Sequence, residues 1–189
     1  MVSPFSPLMI LIEPAAATAS GQTEMKADKP ALKMRELSRF LSRAKSAVGL
    51  YGEVSVLLAT DATIRGLNRN FRKKDKATDV LSFPIDEFPG EAPKQAGDLA
   101  ISLETAKRQA DEHGHTLQVE VKVLMLHGLL HLAGFDHETD KGQMARKENA
   151  LRKELDLPVG LIQRSSKVAR GVRAPARKRS SAEVRSRMR

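Results

Sequence analysis

A chain of 189 residues has room for one domain, with length left over for extensions at its ends. Hydrophobic residues make up 41% and charged residues 29%, which excludes a chain too polar to bury a core. Cysteine is absent, so disulfides and thiolate metal sites are excluded and any metal must be held by His, Asp or Glu.

The formal charge of +9 is not spread evenly. Residues 164–189 hold ten Lys/Arg against one acid, Glu183, and so carry the whole excess, while the 22 basic and 22 acidic residues before them cancel. With Ser, Ala, Gly171 and Pro175 interleaved and no apolar period, this segment is expected to be a disordered basic tail, either a nucleic-acid-binding arm or a solubilising end.

Residues 1–30 read as an N-terminal strand and connector. The apolar run Leu8–Ile12 is too short for a secretory signal, has no basic residue before it and is ended by Glu13. No stretch approaches the roughly 20 apolar residues of a membrane span, so a cytoplasmic protein with no membrane partner is expected. Leu32, Leu37, Leu41, Ala44 and Val48 predict a helix over 31–48, closed by Gly49. Val54, Val56 and Leu58 predict a strand. Asp61 is the expected cap of a second helix with Ile64, Leu67 and Phe71 facing inward. Val80–Ile85 reads as a short strand, 86–95 as a loop, Leu99–Leu103 as a strand and 104–112 as a helix. A longer helix over 117–133 is apolar nearly all round in its second half and should be buried, with Gly134 ending it. A last helix is expected over 139–155. The sum is a small mixed α/β (α+β) domain over 31–163, with about four strands and about five helices.

Inside the buried helix stands His127-Gly128-Leu129-Leu130-His131-Leu132-Ala133-Gly134-Phe135-Asp136-His137. His127 and His131 are four apart and share a helical face, and a turn at Gly134 can bring His137 to the same point. Three imidazoles without a fourth protein ligand are the donor set of a catalytic zinc site, one Zn2+ per chain. The spacing matches that of the metzincin proteases, which carry a Glu base after the first His; here that position is Gly128. His113 and His115, flanking Gly114, are expected to be exposed and without a role. Upstream, Arg65, Arg69, Arg72, Lys73, Lys74 and Lys76 face only Asp75, a local excess of five positive charges able to contact phosphate.

The histidine segment resembles the signature of the YbeY family of bacterial endoribonucleases, also called rRNA maturation factors. Two further blocks are similar to that family: Leu67-Asn68 with Phe71-Arg72, Asp75 and Thr78-Asp79-Val80-Leu81-Ser82-Phe83-Pro84, and Gly97-Asp98-Leu99-Ala100-Ile101-Ser102. Phe71 and Phe135 stand where Tyr is common and Ala77 where Pro is common; the resemblance spans about 50–157. It implies a single-strand-specific, metal-dependent endoribonuclease acting in 3′-end maturation of small-subunit (16S) rRNA and ribosome quality control. Its partners would be single-stranded RNA, rRNA precursor and the small ribosomal subunit. It places zinc on His127, His131 and His137 and the functionally important arginine on Arg72. From the basic stretch itself, Arg69, Lys73 and Lys74 are candidate phosphate contacts, with a solvated helix end the other reading for most of these side chains. Asp98 is a candidate for orienting a ligand or the base, or equally a structural cap; Asp136 is a candidate for supporting His137, or equally for stabilising the turn. Two other readings stand beside it: a zinc-dependent hydrolase of another substrate, such as a metzincin-like peptidase lacking the Glu base, and a ribosome-associated binding factor with structural zinc.

Overall fold

The computed structural model of the protein describes residues 9–14, 32–85, 95–137 and 139–158. The connector, the loop over 86–94 and the basic tail expected from the sequence lie outside the described residues.

Four strands form one mixed sheet: β1 (Met9–Ile12), β2 (Glu53–Ala59), β3 (Val80–Pro84) and β4 (Gln95–Ser102), in the order β1-β2-β4-β3. β1 runs parallel to β2 and β2 parallel to β4, whereas β3 pairs antiparallel with β4 and forms an edge. Among the described residues five helices pack on it: α1 (Met34–Val48), α2 (Asp61–Arg72), α3 (Leu103–His113), α4 (Leu117–Leu132) and α5 (Gln143–Glu154). The sheet separates two apolar clusters. On one face Val54, Val56, Leu58, Leu99 and Ile101 meet α1 and the leucines of α4; on the other Ala59, Leu81 and Ala100 meet Ile64 of α2. α4 is the central helix, with Leu124, Leu126, Leu129 and Leu130 all fully buried. Each such side chain contributes about 1.5–3 kcal/mol relative to exposure, which fixes the helix that carries the first two histidines. No helix among the described residues is long and apolar enough to cross a membrane.

Boundaries depart from expectation where polar groups decide them. The cap of α2 is Thr60, whose hydroxyl accepts from the Thr63 N–H; Asp61 is the first helical residue. Its carboxylate instead cross-links β4 and α3, accepting from Ser102, from Thr105 at 2.7 Å and from Arg108 at 3.0 Å. Burial pushes that carboxyl up, and these hydrogen bonds outweigh it, leaving it below its ordinary range. α5 starts at Gln143 and not at 139, because Asp140 accepts from the N–H groups of Gly142 and Met144, both at 2.6 Å, and holds the turn before it.

β4 begins four residues earlier than expected. Its first half, Gln95-Ala96-Gly97-Asp98, is poor in strand-favouring residues, and a register shift in its pairing with β2 falls there, where Glu53 faces Gln95 and Val54 faces Gly97. Gly97 has φ +143°, and a Cβ on it would stand 2.5 Å from the Phe83 carbonyl oxygen and 2.8 Å from Leu132 Cδ2. Backbone oxygen on one side and the last residue of α4 on the other leave no room to relax. Gly97→Ala is therefore expected to cost about 2–4 kcal/mol from strain and overpacking together, read as a drop in the denaturant midpoint; an unchanged midpoint would show that the strand end can yield.

Candidate metal centre

His127 is buried on α4, His131 half-buried one turn later, and His137 exposed beyond the helix end. The helix stops because Gly134 adopts φ +84°, with its N–H on the His131 carbonyl and the Phe135 N–H on the Leu130 carbonyl, both at 3.0 Å. The chain then doubles back. The ring centroids of His127 and His131 lie 4.8 Å apart and that of His137 lies 5.3 Å from each. One nitrogen from each ring falls within 4.8 Å of the others.

Protonation suits a cation. Nε2 of His127 faces Nε2 of His131 at 3.2 Å. Burial, with His127 and His137 alongside, pulls the His131 pKa down to about 4, although a backbone hydrogen bond with Phe135 and the Asp136 charge work the other way. His131 is thus neutral at physiological pH, with a lone pair to offer.

The carboxylate that orients this cluster is one the sequence reading missed. Glu148, on α5, accepts from His127 Nδ1 at 3.1 Å, which commits that nitrogen to a proton and turns the Nε2 lone pair toward the other two rings. Arg152, one turn on, holds the Glu148 carboxylate through Nε at 2.8 Å and Nη2 at 2.5 Å, and spends Nη1 on the Pro158 carbonyl at 2.9 Å. Both side chains are buried. Burial alone would raise the Glu148 pKa, but the His127 hydrogen bond and the Arg152 charge outweigh it and hold the group at about 2. The available signal was the i, i+4 pair Glu148/Arg152 on a helix whose other buried positions are Met144 and Leu151.

Of the two carboxylates singled out from the sequence, Asp136 lies close enough for its charge to act on His131, whereas Asp98 does not. Asp136 braces the turn, its Oδ2 accepting from Thr139 Oγ1 at 3.0 Å and its carbonyl from the Thr139 and Asp140 N–H groups. Asp98 is exposed on β4 opposite Phe83 and Ser55, and strand alternation puts it on the face away from Leu99, the residue that meets α4 at Gly128. The structure therefore does not bring Asp98 to the histidines. His115 is not simply exposed as expected: it pairs with Glu120, which is fully buried at the start of α4. His113 is exposed.

Gly128 has a packing reason. A Cβ there would stand 2.7 Å from Leu99 Cδ2 and 3.3 Å from Ser82 Oγ, whose hydroxyl donates to the Gly128 carbonyl at 3.3 Å. Any side chain at this position would press on Leu99 of β4 from its first carbon.

The basic segment ends α2 on the other sheet face. Arg65 is taken up by Asp75 through two 2.8 Å bonds. Arg69, Arg72, Lys73 and Lys74 are exposed, with Lys73 Nζ on the Asn70 carbonyl at 3.1 Å. Phe71, expected inward, is 67% exposed because α2 overhangs the edge strand there. The motif residues around them are structural. Asn68, buried, donates to the Lys76 carbonyl at 2.8 Å, and Asp79 accepts from the Val80 N–H at 2.9 Å and from Gln109 at 3.0 Å.

The family model described as endoribonuclease YbeY matches residues 18–156. The chain belongs to the YbeY family. Among curated relatives, it is 52% identical over 136 residues to the endoribonuclease YbeY of Koribacter versatilis, covering 72% of this chain and 86% of that one. It is 50% identical over 133 residues to that of Solibacter usitatus (70% and 86%) and 48% identical over 116 residues to that of Aquifex aeolicus (60% and 76%). The YbeY motifs quoted above thus fall on the histidine cluster, on the frame that ends α2, and on the Gly97 strand entry.

Proposed function

We propose that this protein is a zinc-dependent endoribonuclease that cuts single-stranded RNA and acts in the cytoplasm on rRNA precursor and the small ribosomal subunit. The convergence of His127, His131 and His137 in a chain of the YbeY family carries the reading. Residues 31–163 would form the catalytic domain and 164–189 a basic arm that adds affinity for phosphate.

The donor set fits zinc: three imidazole nitrogens, one of them oriented by a buried carboxylate, leave the fourth tetrahedral position to a ligand from outside the triad. Bound zinc would supply a Lewis acid and lower the pKa of a water at the scissile phosphate. The protein's own groups do the rest. Glu148 fixes the His127 tautomer, the leucines of α4 exclude water behind the rings, and exposed His137 forms the open side through which a strand enters. The family motif, and not a contact with the histidines, puts Arg72 on the charge that builds on the phosphate, since α2 packs on the sheet face away from α4; the RNA strand would have to pass the edge strand to meet both, with Arg69, Lys73 and Lys74 on neighbouring phosphates. Gly128 speaks against the peptidase alternative, since it supplies no carboxylate at the position where that mechanism carries its base.

Metal-loaded protein given labelled single-stranded RNA, duplex RNA and casein tests the class: cleavage of the first alone is expected, casein cleavage would establish the peptidase, and no cleavage of any would leave a binding factor. Arg72→Ala should fold and keep its zinc while losing at least tenfold in cleavage, about 1.4 kcal/mol of transition-state stabilisation. A variant within twofold of the parent would move the role to another basic residue.

A further inference from the structure

The chain holds six Phe, one Tyr and no Trp, so an aromatic ring left in solvent is conspicuous. Phe71 is such a ring, at the last turn of α2, and it is supported edge-on by Phe83 of the edge strand, with centroids 5.2 Å apart and planes at 71°. Around it Arg69, Arg72, Lys73, Lys74 and Lys76 are exposed, and the one acid of the segment, Asp75, is engaged by Arg65. The patch is held in shape. Lys73 takes the left-handed conformation, φ +59°, that ends the helix, the Lys74 N–H returns to the Asn68 carbonyl, and Asn68 holds the Lys76 carbonyl.

We propose that Phe71 is a stacking platform for an unpaired RNA base, with the flanking cations on the phosphates either side of it. The inference rests on the endoribonuclease reading above. An aromatic face amid positive charge is the surface that single-stranded nucleic acid fits, because every base offers a π-face and every linkage a negative charge. A base inside a duplex has both faces covered, so the platform selects unpaired RNA by contact and not by sequence. Its place suits the histidine cluster. On β3, Ser82 donates to the carbonyl next to His127 on one face, while the adjacent Phe83 supports Phe71 on the other, so one edge strand lies between platform and ligand helix.

The test uses the full chain and a short all-2′-O-methyl single-stranded RNA, checked on a gel for integrity, with binding read by fluorescence anisotropy. Phe71→Leu, which keeps an apolar side chain but no π-face, should weaken binding by about 5- to 150-fold, and Phe71→Tyr should bind within twofold of the parent. Its salt slope should match the parent's, whereas Lys74→Ala should flatten the slope by about 0.7. Probes with a single abasic nucleotide at successive positions give an arm that needs no variant: one position should weaken parent binding, and that loss should vanish in Phe71→Leu. Parent binding indifferent to every abasic position, or Phe71→Leu binding within twofold while folded, would overturn the stacking role alone. A parent with no salt-dependent RNA binding would overturn the endoribonuclease reading itself, and the platform with it.

Discussion

His127→Ala, His131→Ala and His137→Ala are each expected to abolish stoichiometric zinc and RNA cleavage together, because two imidazoles cannot hold the ion against water. The loss of metal affinity should exceed the roughly 10- to 100-fold that follows when only a ligand's supporting partner is removed. The three variants should part company in the metal-free state. His137 is exposed, so its replacement should leave metal-free stability within about 0.5 kcal/mol. His127 is only 8% exposed and gives Glu148 one of its hydrogen bonds, so its loss should also lower the thermal midpoint. Metal analysis beside thermal melts decides this, and stoichiometric zinc in any variant would remove that residue from the ligand set.

Glu148→Leu should be the most destabilising single change at the centre. Arg152 is 2% exposed, and deleting Glu148 takes away the carboxylate that receives its Nε and Nη2; breaking such a buried pair costs about 3–5 kcal/mol. The double variant Glu148→Leu/Arg152→Leu removes both charges and should recover much of that stability. Zinc affinity should not recover with it, because His127 has still lost the acceptor that sets its tautomer. Chemical denaturation together with zinc titration separates the two roles. If the double variant binds zinc as tightly as the parent, Glu148 serves the core and not the ligand.

The elements that were legible in the sequence are those whose apolar period runs on: α1, α4 and β2 are set by burial, and four-residue spacing with a glycine stop was enough to bring three histidines together. Short-range polar chemistry was harder to see. Asp61 looks like a cap and serves as a cross-link, while Asp140, unremarked beforehand, holds the turn before α5. Phe71 continues the inward phase of Ile64 and Leu67, but no sequence period shows where a sheet ends, and the ring rests on Phe83 of the edge strand with most of its surface in solvent. Glu148 was missed for a related reason. A carboxylate eleven residues after the last histidine gains its role from how α5 crosses α4, which is a tertiary fact, whereas Asp136, next to His137 in sequence, braces the turn.

The order of pairing in the sheet bears on how the molecule assembles. β2 must find β4 across α2 and β3, and parallel partners of this separation are slow to meet because a long loop has to close before any contact rewards it. The histidines need no such search: all three lie within eleven consecutive residues, and the helix that orients them follows directly. The donor set is therefore local in sequence but not in support: α4 is held by burial against β2 and β4, so a slow strand pairing also delays the frame that aims His127 and His131.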